Sequence, residues 1–203
     1  MKTGPKYKIC RRLGSDVFEK CQTQKFSVSE GKGSKVKGKG GKKKPLSVFG
    51  QQLLEKQKIR FSYGISEKQF GNYVKKASSQ KALPTSKALY HMLESRLDNV
   101  VYRTGLAKTR RLARQMVSHG HIIVNGRKVT VPSFTVSKDD IVSIREGSRS
   151  SVLFSDLAKK LKDYTSPAWL AMNADKGEAK VVGVPGETDA VFNWDAVLEF
   201  YSR

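Results

Sequence analysis

A basic helix pattern that runs directly into a hairpin pattern, within residues 95–129, restricts the fold of this chain more than any other feature. At 100° per residue, the side chains of residues 106–117 divide between two opposite sides of a helix. The apolar side holds Leu106, Leu112, Ala113, Met116 and Val117, and the polar side holds Lys108, Arg110, Arg111, Arg114 and Gln115. We therefore expect one side to pack into a core and the other to present positive charge.

Local signals mark both ends of this helix and the turn that follows it. Thr109 is suited to an N-cap, and Gly120 stands where a left-handed C-terminal cap is favoured. The period then changes to two, and Asn125-Gly126 between two β-prone runs predicts a type I′ hairpin, because both residues tolerate positive φ. The turn would bring a polar set toward the arginines of the helix: His119, His121, Asn125, Arg127 and Lys128. Such a unit could grip a polyanion from two sides.

The charge of the chain is large and unevenly distributed. The 203 residues carry a formal net charge of +21, which favours RNA, DNA or an anionic membrane as a partner over neutral or cationic ones. Residues 1–150 hold 33 Lys+Arg against 10 Asp+Glu, whereas residues 151–203 hold 6 against 8. The last quarter is therefore expected to have a different role.

The pattern of apolar residues argues against a membrane partner. No apolar run approaches the roughly 18–20 residues that cross a bilayer. The N-terminus also lacks the apolar core of a secretion signal. We expect a soluble, cytoplasmic protein.

The few cysteines and histidines argue against a metal or a cofactor. Cys10 and Cys21 are the only cysteines and form no CxxC pair, and a reducing cytoplasm disfavours a disulfide between them. The three histidines, His91, His119 and His121, all lie far along the chain. This set does not match the ligand spacing of a zinc site, and we expect no metal.

A strongly basic segment precedes the first periodic region. Residues 31–44 comprise 7 Lys and 5 Gly with one Ser and one Val, too little apolar surface to offset the entropy of ordering. We expect a flexible arm that becomes ordered along phosphates, with a solubilising linker as the alternative. The basic patch at residues 6–14 shows no clear periodicity.

Helical periodicity begins after Pro45. Residues 47–80 predict two helices broken near Tyr63-Gly64, with mostly cationic polar faces, and residues 86–105 predict a further helix that ends at Gly105. That helix can pack on the basic helix over strands expected at residues 121–124, 127–131 and 141–145. We interpret residues 90–148 as one compact α+β module.

The final quarter has the pattern of a packing segment. A helix is predicted over residues 152–165, and residues 195–203 have a strand-like pattern. Its large aromatic residues suit core or interface positions better than base stacking, because the surrounding charge would not hold a phosphate backbone nearby. They are Trp169, Trp194, Phe200 and Tyr201.

The run ESRLDNVVYRTGLAKTRRLARQMVSHGHIIVNGRKVTVPSF closely resembles the RNA-binding module of the small-subunit ribosomal protein four family. The same module occurs in some pseudouridine synthases, bacterial tyrosyl-tRNA synthetases and ribosome-rescue proteins, so by itself it indicates only RNA binding. The flanks TGPKYKICRRLG, LLEKQKIRFSYGISEKQF and LEFYSR also resemble the bacterial-type ribosomal protein. The resemblance covers nearly the whole chain apart from residues 22–44.

The resemblance implies an α+β fold in which the module is inserted into a mostly helical domain. Residues 1–45 would then be a basic N-terminal extension. Residues 46–89 and 149–203 would form the helical scaffold around the module at residues 90–148.

The resemblance also implies a non-enzymatic role in translation, in the cytoplasmic ribosome. Members of this family bind a multi-helix junction in the 5′ domain of small-subunit rRNA early in assembly. They help line the channel through which mRNA enters, beside ribosomal proteins three and five, and the interface with protein five is linked to decoding fidelity.

We expect the RNA contacts to come from clustered basic and polar side chains, because double-stranded RNA is recognised mainly through its shape, phosphates and 2′-hydroxyls. Arginines can fork onto two phosphate oxygens, whereas lysines add salt-sensitive affinity. The predicted rRNA-binding residues are Arg11, Arg12, Lys42, Lys43, Lys44, Lys56, Lys58, Arg60, Arg103, Lys108, Thr109, Arg110, Arg111, Arg114, Gln115, His119, His121, Asn125 and Lys128.

The chain departs from the family near its N-terminus. Many relatives hold zinc there with four cysteines, and this chain has Tyr7 where the first cysteine would align. We therefore expect no zinc. We expect the basic arm, by neutralising RNA phosphates, to take over the role that the zinc-binding segment has in those relatives.

Other function classes stay open on the residues alone. An RNA-modifying or aminoacylating enzyme, or an accessory RNA-binding factor, could carry the same module, although no catalytic constellation is evident. Glu94 and Asp98 beside Arg96 suit ion pairs better than a catalytic dyad. A DNA-compacting protein is compatible with the charge alone.

Overall fold

The computed structural model describes residues 4–22, 45–151, 154, 161, 164–173, 176–186 and 191–202. The chain divides into two compact units. One comprises Met1–Ser78 with Asp189–Arg203, and the other comprises Ser79–Thr188. The second unit is therefore inserted, along the chain, between the two parts of the first.

The described part of the first unit is helical. It contains α1 (Lys6–Leu13), a short 3-10 helix (Glu19–Cys21), α2 (Val48–Tyr63), α3 (Glu67–Ser79) and α8 (Trp194–Tyr201). The predicted break between α2 and α3 is confirmed, since Gly64 caps α2 at a φ of 63°. α1 packs on the end of α2 through a small core that includes Ile9, Cys10 and Phe61.

Two segments of this unit differ from the sequence expectation. Residues 6–13 form a helix although no periodicity was recognised there, because Ile9, Cys10 and Leu13 turn to one buried side. The strand-like interpretation of residues 195–203 is wrong, since α8 occupies most of them. Asn193 caps α8 by accepting a hydrogen bond from the backbone N–H of Ala196 at 3.0 Å, and that signal outweighs a short apolar alternation.

The second unit combines helices with an antiparallel sheet. Its helices are α4 (Thr85–Glu94), α5 (Leu97–Arg103), α6 (Arg110–Ser118) and α7 (Glu146–Arg149). Its strands are β1 (Ile122–Val124), β2 (Arg127–Lys128), β3 (Ile141–Ile144), β4 (Leu170–Asn173) and β5 (Glu178–Val181), in the order β2-β1-β3-β5-β4. All pairs are antiparallel, with Ile123 opposite Ser143 in the β1–β3 pair and Val142 opposite Ala179 in the β3–β5 pair.

The core of this unit lies between α5, α6 and the sheet. Val100, Met116, Ile122, Val142 and Val181 belong to one buried cluster. The predicted α+β class, with two helices packed on a short antiparallel sheet, is confirmed.

The predicted helix over residues 86–105 is two helices in the structure. It breaks at Ser95-Arg96, where the N–H of Ser95 still donates to the carbonyl of His91 but the following residues exchange hydrogen bonds with the segment 132–136. The N–H of Leu97 donates to the carbonyl of Phe134 at 2.8 Å, and the N–H of Val136 donates to that of Ser95 at 2.8 Å. These bonds come from residues distant in sequence, so helical periodicity could not reveal them.

The compact unit extends beyond both limits of the predicted module at residues 90–148. β4 and β5 come from the segment assigned to the scaffold, and β5 pairs directly with β3. The boundaries of the RNA-binding module at residues 90 and 148 therefore stay a prediction. The predicted helix at residues 152–165 and the arm at residues 31–44 fall largely or wholly outside the described residues.

Within the described residues, no helix is long and apolar enough to span a membrane.

Candidate nucleic-acid interface

The ends of α6 are fixed by the caps that the sequence indicates. The hydroxyl of Thr109 accepts a hydrogen bond from the N–H of Leu112 at 3.1 Å. At the other end Gly120 adopts a φ of 73°, and the N–H of His121 donates to the carbonyl of Met116 at 3.0 Å. This is the pattern of a Schellman cap. The helix therefore begins and ends at defined residues.

The two sides of α6 separate as predicted. Ala113, Met116 and Val117 are at most 2% exposed and join the core. We call the opposite side, made of Lys108, Arg110, Arg111, Arg114 and Gln115, the α6 basic face. Its residues are exposed or partly exposed. The helix thus presents cations from a packed support.

Glu94 fixes two of the predicted arginines. This carboxylate is fully buried, and it accepts hydrogen bonds from Nε and Nη2 of Arg103 at 2.9 and 3.0 Å. Nη2 of Arg110 lies 3.9 Å from Oε1 of Glu94, and Nε of Arg110 donates to Oδ1 of Asn99 at 2.7 Å. A buried carboxylate needs such partners, and it limits the rotamers of both arginines.

Asp98 fixes a second pair. Arg96 donates to its two oxygens from Nε and Nη2 at 3.0 and 2.8 Å, and Arg114 donates to Oδ2 from Nε and Nη2 at 2.9 and 2.7 Å. Arg96 is 2% exposed, whereas the side chain of Arg114 retains 29% exposure. Arg114 is therefore held from behind while part of its guanidinium reaches solvent. The predicted ion-pair role of Glu94 and Asp98 is confirmed.

The hairpin forms at Asn125-Gly126, where φ is 50° and 78°. The Asn125 amide donates to Asp140 Oδ1 at 2.7 Å and accepts from the N–H of Ile141 at 2.8 Å, so it ties the turn to β3. Lys128 is exposed and lies across Gly120, where an added Cβ would come within 2.2 Å of its Cε. The φ of 73° therefore favours glycine at position 120, and an added Cβ would also require the flexible end of Lys128 to move.

The two predicted histidines differ in environment. His119 is exposed at the end of α6. His121 is half-buried, with Nδ1 3.0 Å from the hydroxyl of Ser148. His119 is the better placed of the two to meet a ligand.

The predicted residues of the first unit are unequal in exposure and pairing. Arg11 and Arg12 are exposed on α1. Lys56 is 6% exposed, with Nζ 2.6 Å from Glu67 Oε1 and 4.3 Å from the centre of the Phe200 ring. Lys58 pairs with Glu55 at 2.6 Å. Lys42, Lys43 and Lys44 lie outside the described residues.

Comparison with known families identifies the group to which the chain belongs. Residues 1–94 match the family model described as the ribosomal protein S4/S9 N-terminal domain, and residues 95–142 match that of the S4 domain. A small ribosomal subunit protein uS4 from Halothermothrix orenii is 42% identical over 207 residues, which cover 98% of each chain. The chain belongs to the uS4 family.

Other uS4 proteins agree over the same length. Those of Pelotomaculum thermopropionicum and Neisseria meningitidis are 40% and 42% identical, and they cover 99% and 98% of this chain and 98% of their own. The resemblance stated from the sequence is confirmed. So is the prediction that the chain is a ribosomal protein and not an enzyme.

Within this uS4 chain, the sequence interpretation missed two supports of the α6 basic face. Asp98 was expected to pair with Arg96, but it was not foreseen as the support of Arg114. Tyr102 was not foreseen beneath Arg110, whose guanidinium carbon lies 4.4 Å from the centre of the ring. A signal existed: charged residues within the apolar stretch 93–101 must find partners once that stretch is buried.

The site of this uS4 protein is suited to binding a polyanion. No cluster of His, Cys, Asp or Glu that could hold a metal occurs among the residues described. Pre-oriented guanidinium groups can donate pairs of hydrogen bonds to phosphate oxygens with little further loss of entropy.

Proposed function

We propose that this small-subunit ribosomal protein binds rRNA through the α6 basic face together with Lys128 of the hairpin. The observation that carries the proposal is the pair of buried carboxylates, Glu94 and Asp98, which orient Arg103, Arg110 and Arg114. Oriented arginines suit the shape and phosphate contacts by which structured RNA is recognised.

The geometry supports different roles for the predicted contacts. Among the predicted residues of this unit, the proposed direct contacts are the exposed or partly exposed basic and polar side chains: Arg103, Lys108, Arg110, Arg111, Arg114, Gln115, His119 and Lys128. Thr109, Asn125 and His121 use their polar groups inside the protein and would position the others. In the first unit, exposed Arg11 and Arg12 are better candidates than buried Lys56.

We further propose that the RNA is a helix junction in the 5′ domain of small-subunit rRNA, and that binding occurs early in assembly. Both units of the chain carry exposed cations, on α1 and on α6. A protein with two basic regions can neutralise phosphates on more than one RNA helix. Such a contact favours a junction over a simple duplex.

The proposal for protein partners rests on a groove between α2 and α8. The groove measures about 660 Å³, and its lining combines apolar and polar side chains with Lys58 and three carboxylates: Glu55, Asp195 and Glu199. In a chain of net charge +21, such a surface suits a protein better than RNA. We propose that this groove binds ribosomal protein five. We also propose that the protein lies beside ribosomal protein three at the channel through which mRNA enters, and contacts mRNA there. An effect on decoding fidelity would follow from that interface.

The RNA proposal is tested by binding titrations at equal salt. The full chain is titrated with a transcribed 5′-domain rRNA fragment and with duplex DNA of matched length. We expect clearly tighter binding to the rRNA fragment, with a steep fall in affinity as salt rises. Equal affinity for both nucleic acids would overturn the proposal.

A matched pair of variants assigns the surface. Arg111→Gln should weaken rRNA binding by roughly 5-fold or more, whereas Lys176→Gln, which removes an exposed charge from the β4–β5 turn, should leave it nearly unchanged. Equal effects of the two substitutions would mean that net charge, and not the α6 basic face, determines binding.

A further inference from the structure

A cleft between the start of α1 and the end of α2 combines an apolar wall with a cationic rim. It measures about 520 Å³ and is lined by Gly4, Pro5, Lys8, Ile9, Arg12, Arg60 and Phe61. That volume falls within the range of small-molecule sites, about 300–1,000 Å³. The cleft lies wholly in the first unit, away from the residues of the α6 basic face in the chain.

The wall of the cleft is apolar and fixed. Ile9 and Phe61 are each 8% exposed and belong to the core beneath α1. The ring of Phe61 packs edge to face on Phe18, with 6.0 Å between centres. The wall side chains, with Gly4 and Pro5, carry no hydrogen-bonding groups, so the wall suits a flat apolar surface.

The rim of the cleft is cationic. Lys8 and Arg12 are exposed one turn apart on α1. The guanidinium carbon of Arg60 lies 4.3 Å from the centre of the Phe61 ring. Nε of Arg60 donates a hydrogen bond to Oε1 of Gln57 at 2.9 Å, and Oε2 of Glu67 lies 3.5 Å from the same nitrogen. Among the described residues, the lining of the cleft contains no carboxylate.

We propose that this cleft receives the base of an unpaired rRNA nucleotide. The base would lie on the guanidinium plane of Arg60, which is itself supported by the buried Phe61 ring, since unstacked bases pack on guanidinium planes. Lys8 and Arg12 would neutralise the phosphates on either side of that nucleotide. A base inside a duplex is stacked and cannot enter, so the cleft selects unpaired RNA.

The chemistry of the wall also predicts weak base preference. Base identity is read through hydrogen bonds to base edges, and the wall offers no side-chain donor or acceptor. Stacking alone tolerates every base. This inference rests on the proposed rRNA binding, and it adds a second contact on a different unit.

The first experiment uses free nucleotides and the full chain. Adenosine 5′-monophosphate and uridine 5′-monophosphate are titrated while amide signals are followed by NMR, with ribose 5-phosphate as the ligand that lacks a base. We expect both nucleotides, but not ribose 5-phosphate, to shift the signals of Gly4, Ile9 and Phe61. Equal shifts from all three ligands would reduce the site to a phosphate contact and overturn the inference.

The second experiment fills the cleft. An added Cβ at Gly4 has only Ile9 Cδ1 nearby, at 4.0 Å, so Gly4→Leu can extend over the wall without displacing backbone. We expect it to weaken binding of the 5′-domain rRNA fragment by at least about 5-fold and to leave the affinity for fully paired RNA unchanged. Gly186→Leu is the matched control, because an added Cβ there meets nothing within 4 Å.

Charge variants and folding controls complete the test. Arg12→Gln should reduce binding more than Arg11→Gln, which removes the same charge from the same helix but does not line the cleft. Gly4→Ala and circular dichroism check that losses do not reflect unfolding. Wild-type affinity of a folded Gly4→Leu chain for the rRNA fragment would refute the cleft while leaving rRNA binding intact. Failure of the wild-type chain to bind the fragment would instead refute the proposed function.

Discussion

Asp98 holds Arg114 of the α6 basic face from a buried position. It is 3% exposed and contacts both Arg96 and Arg114. Asp98→Ala leaves a buried guanidinium without its partner, which typically costs about 3–5 kcal/mol. We expect a loss of that size in the free energy of unfolding, measured by urea denaturation, and weaker rRNA binding.

A surface carboxylate provides the contrast to Asp98. Asp139 pairs with Lys180 at 3.0 Å, and both side chains are more than half exposed. Its φ of 70° is tolerated by asparagine, so Asp139→Asn removes only the charge. We expect little change in the urea midpoint. A similar loss for the two variants would show that the buried network adds nothing beyond an exposed ion pair.

Glu67 gives the first unit a pH-dependent stability. Partial burial raises the pKa of Glu67, whereas hydrogen bonds from Lys56 and Tyr201 and the nearby cations lower it. The lowering effects are together larger, so the pKa of Glu67 falls below the ordinary 4.5. Its contribution to stability is therefore complete above about pH 4.5 and is lost as the pH falls through the lowered pKa. Unfolding followed between pH 6 and 3 should show this loss.

Glu67→Gln should flatten that dependence in the acid range, because glutamine has no charge to lose. Glu146→Gln, at an exposed position at the start of α7, serves as the control and should leave the slope unchanged. An unaltered acid slope in Glu67→Gln would place the pH dependence on other carboxylates.

The caps of α6 are the element-scale features that keep its cations in place. Thr109→Ala removes the acceptor for the N–H of Leu112 and should cost about 1 kcal/mol of stability, whereas Thr109→Ser keeps that acceptor and should cost much less. Urea denaturation measures both. If serine and alanine are equally destabilising, the methyl group of Thr109, and not its hydroxyl, supports the helix.

The elements that could be predicted from the sequence are those whose signals are local. Thr109, Gly120 and Asn125-Gly126 each act within a few residues, so α6 and the hairpin were located correctly. The break at Ser95-Arg96 depends on hydrogen bonds to residues 132–136, and no window of neighbouring residues contains that information. The same holds for the support of Arg110 by Tyr102 and Glu94, which only the packed fold brings together.

The extent of the inserted unit is a property of the whole molecule. The periodicity of residues 90–148 accounts for α5, α6 and the first three strands, but it does not reveal that β3 pairs with β5. Antiparallel partners joined by a long connection leave no repeating pattern in the sequence. The unit that folds and the segment that resembles an RNA-binding module are therefore different in length.

We expect a fragment of residues 79–188 to fold alone and a fragment of residues 90–148 to fail. The shorter fragment lacks β4 and β5, so it leaves the edge of β3 unpaired and removes Leu170 and Val181 from the core cluster. Exposed edges and lost apolar contacts both destabilise a small sheet. The measurements are amide NMR spectra and urea denaturation. We expect dispersed amide signals and a cooperative unfolding transition for residues 79–188, and poorly dispersed signals without such a transition for residues 90–148.

The two fragments share every predicted RNA-binding residue of the second unit, so the loss of a predicted contact cannot explain a difference between them. If 79–188 binds the 5′-domain rRNA fragment selectively while 90–148 binds it no better than duplex DNA, the β4–β5 hairpin is needed to hold the α6 basic face in its binding geometry. Cooperative unfolding of 90–148 at the urea midpoint of 79–188 would contradict this, because stability would then reside in α5, α6 and the first three strands without their partners.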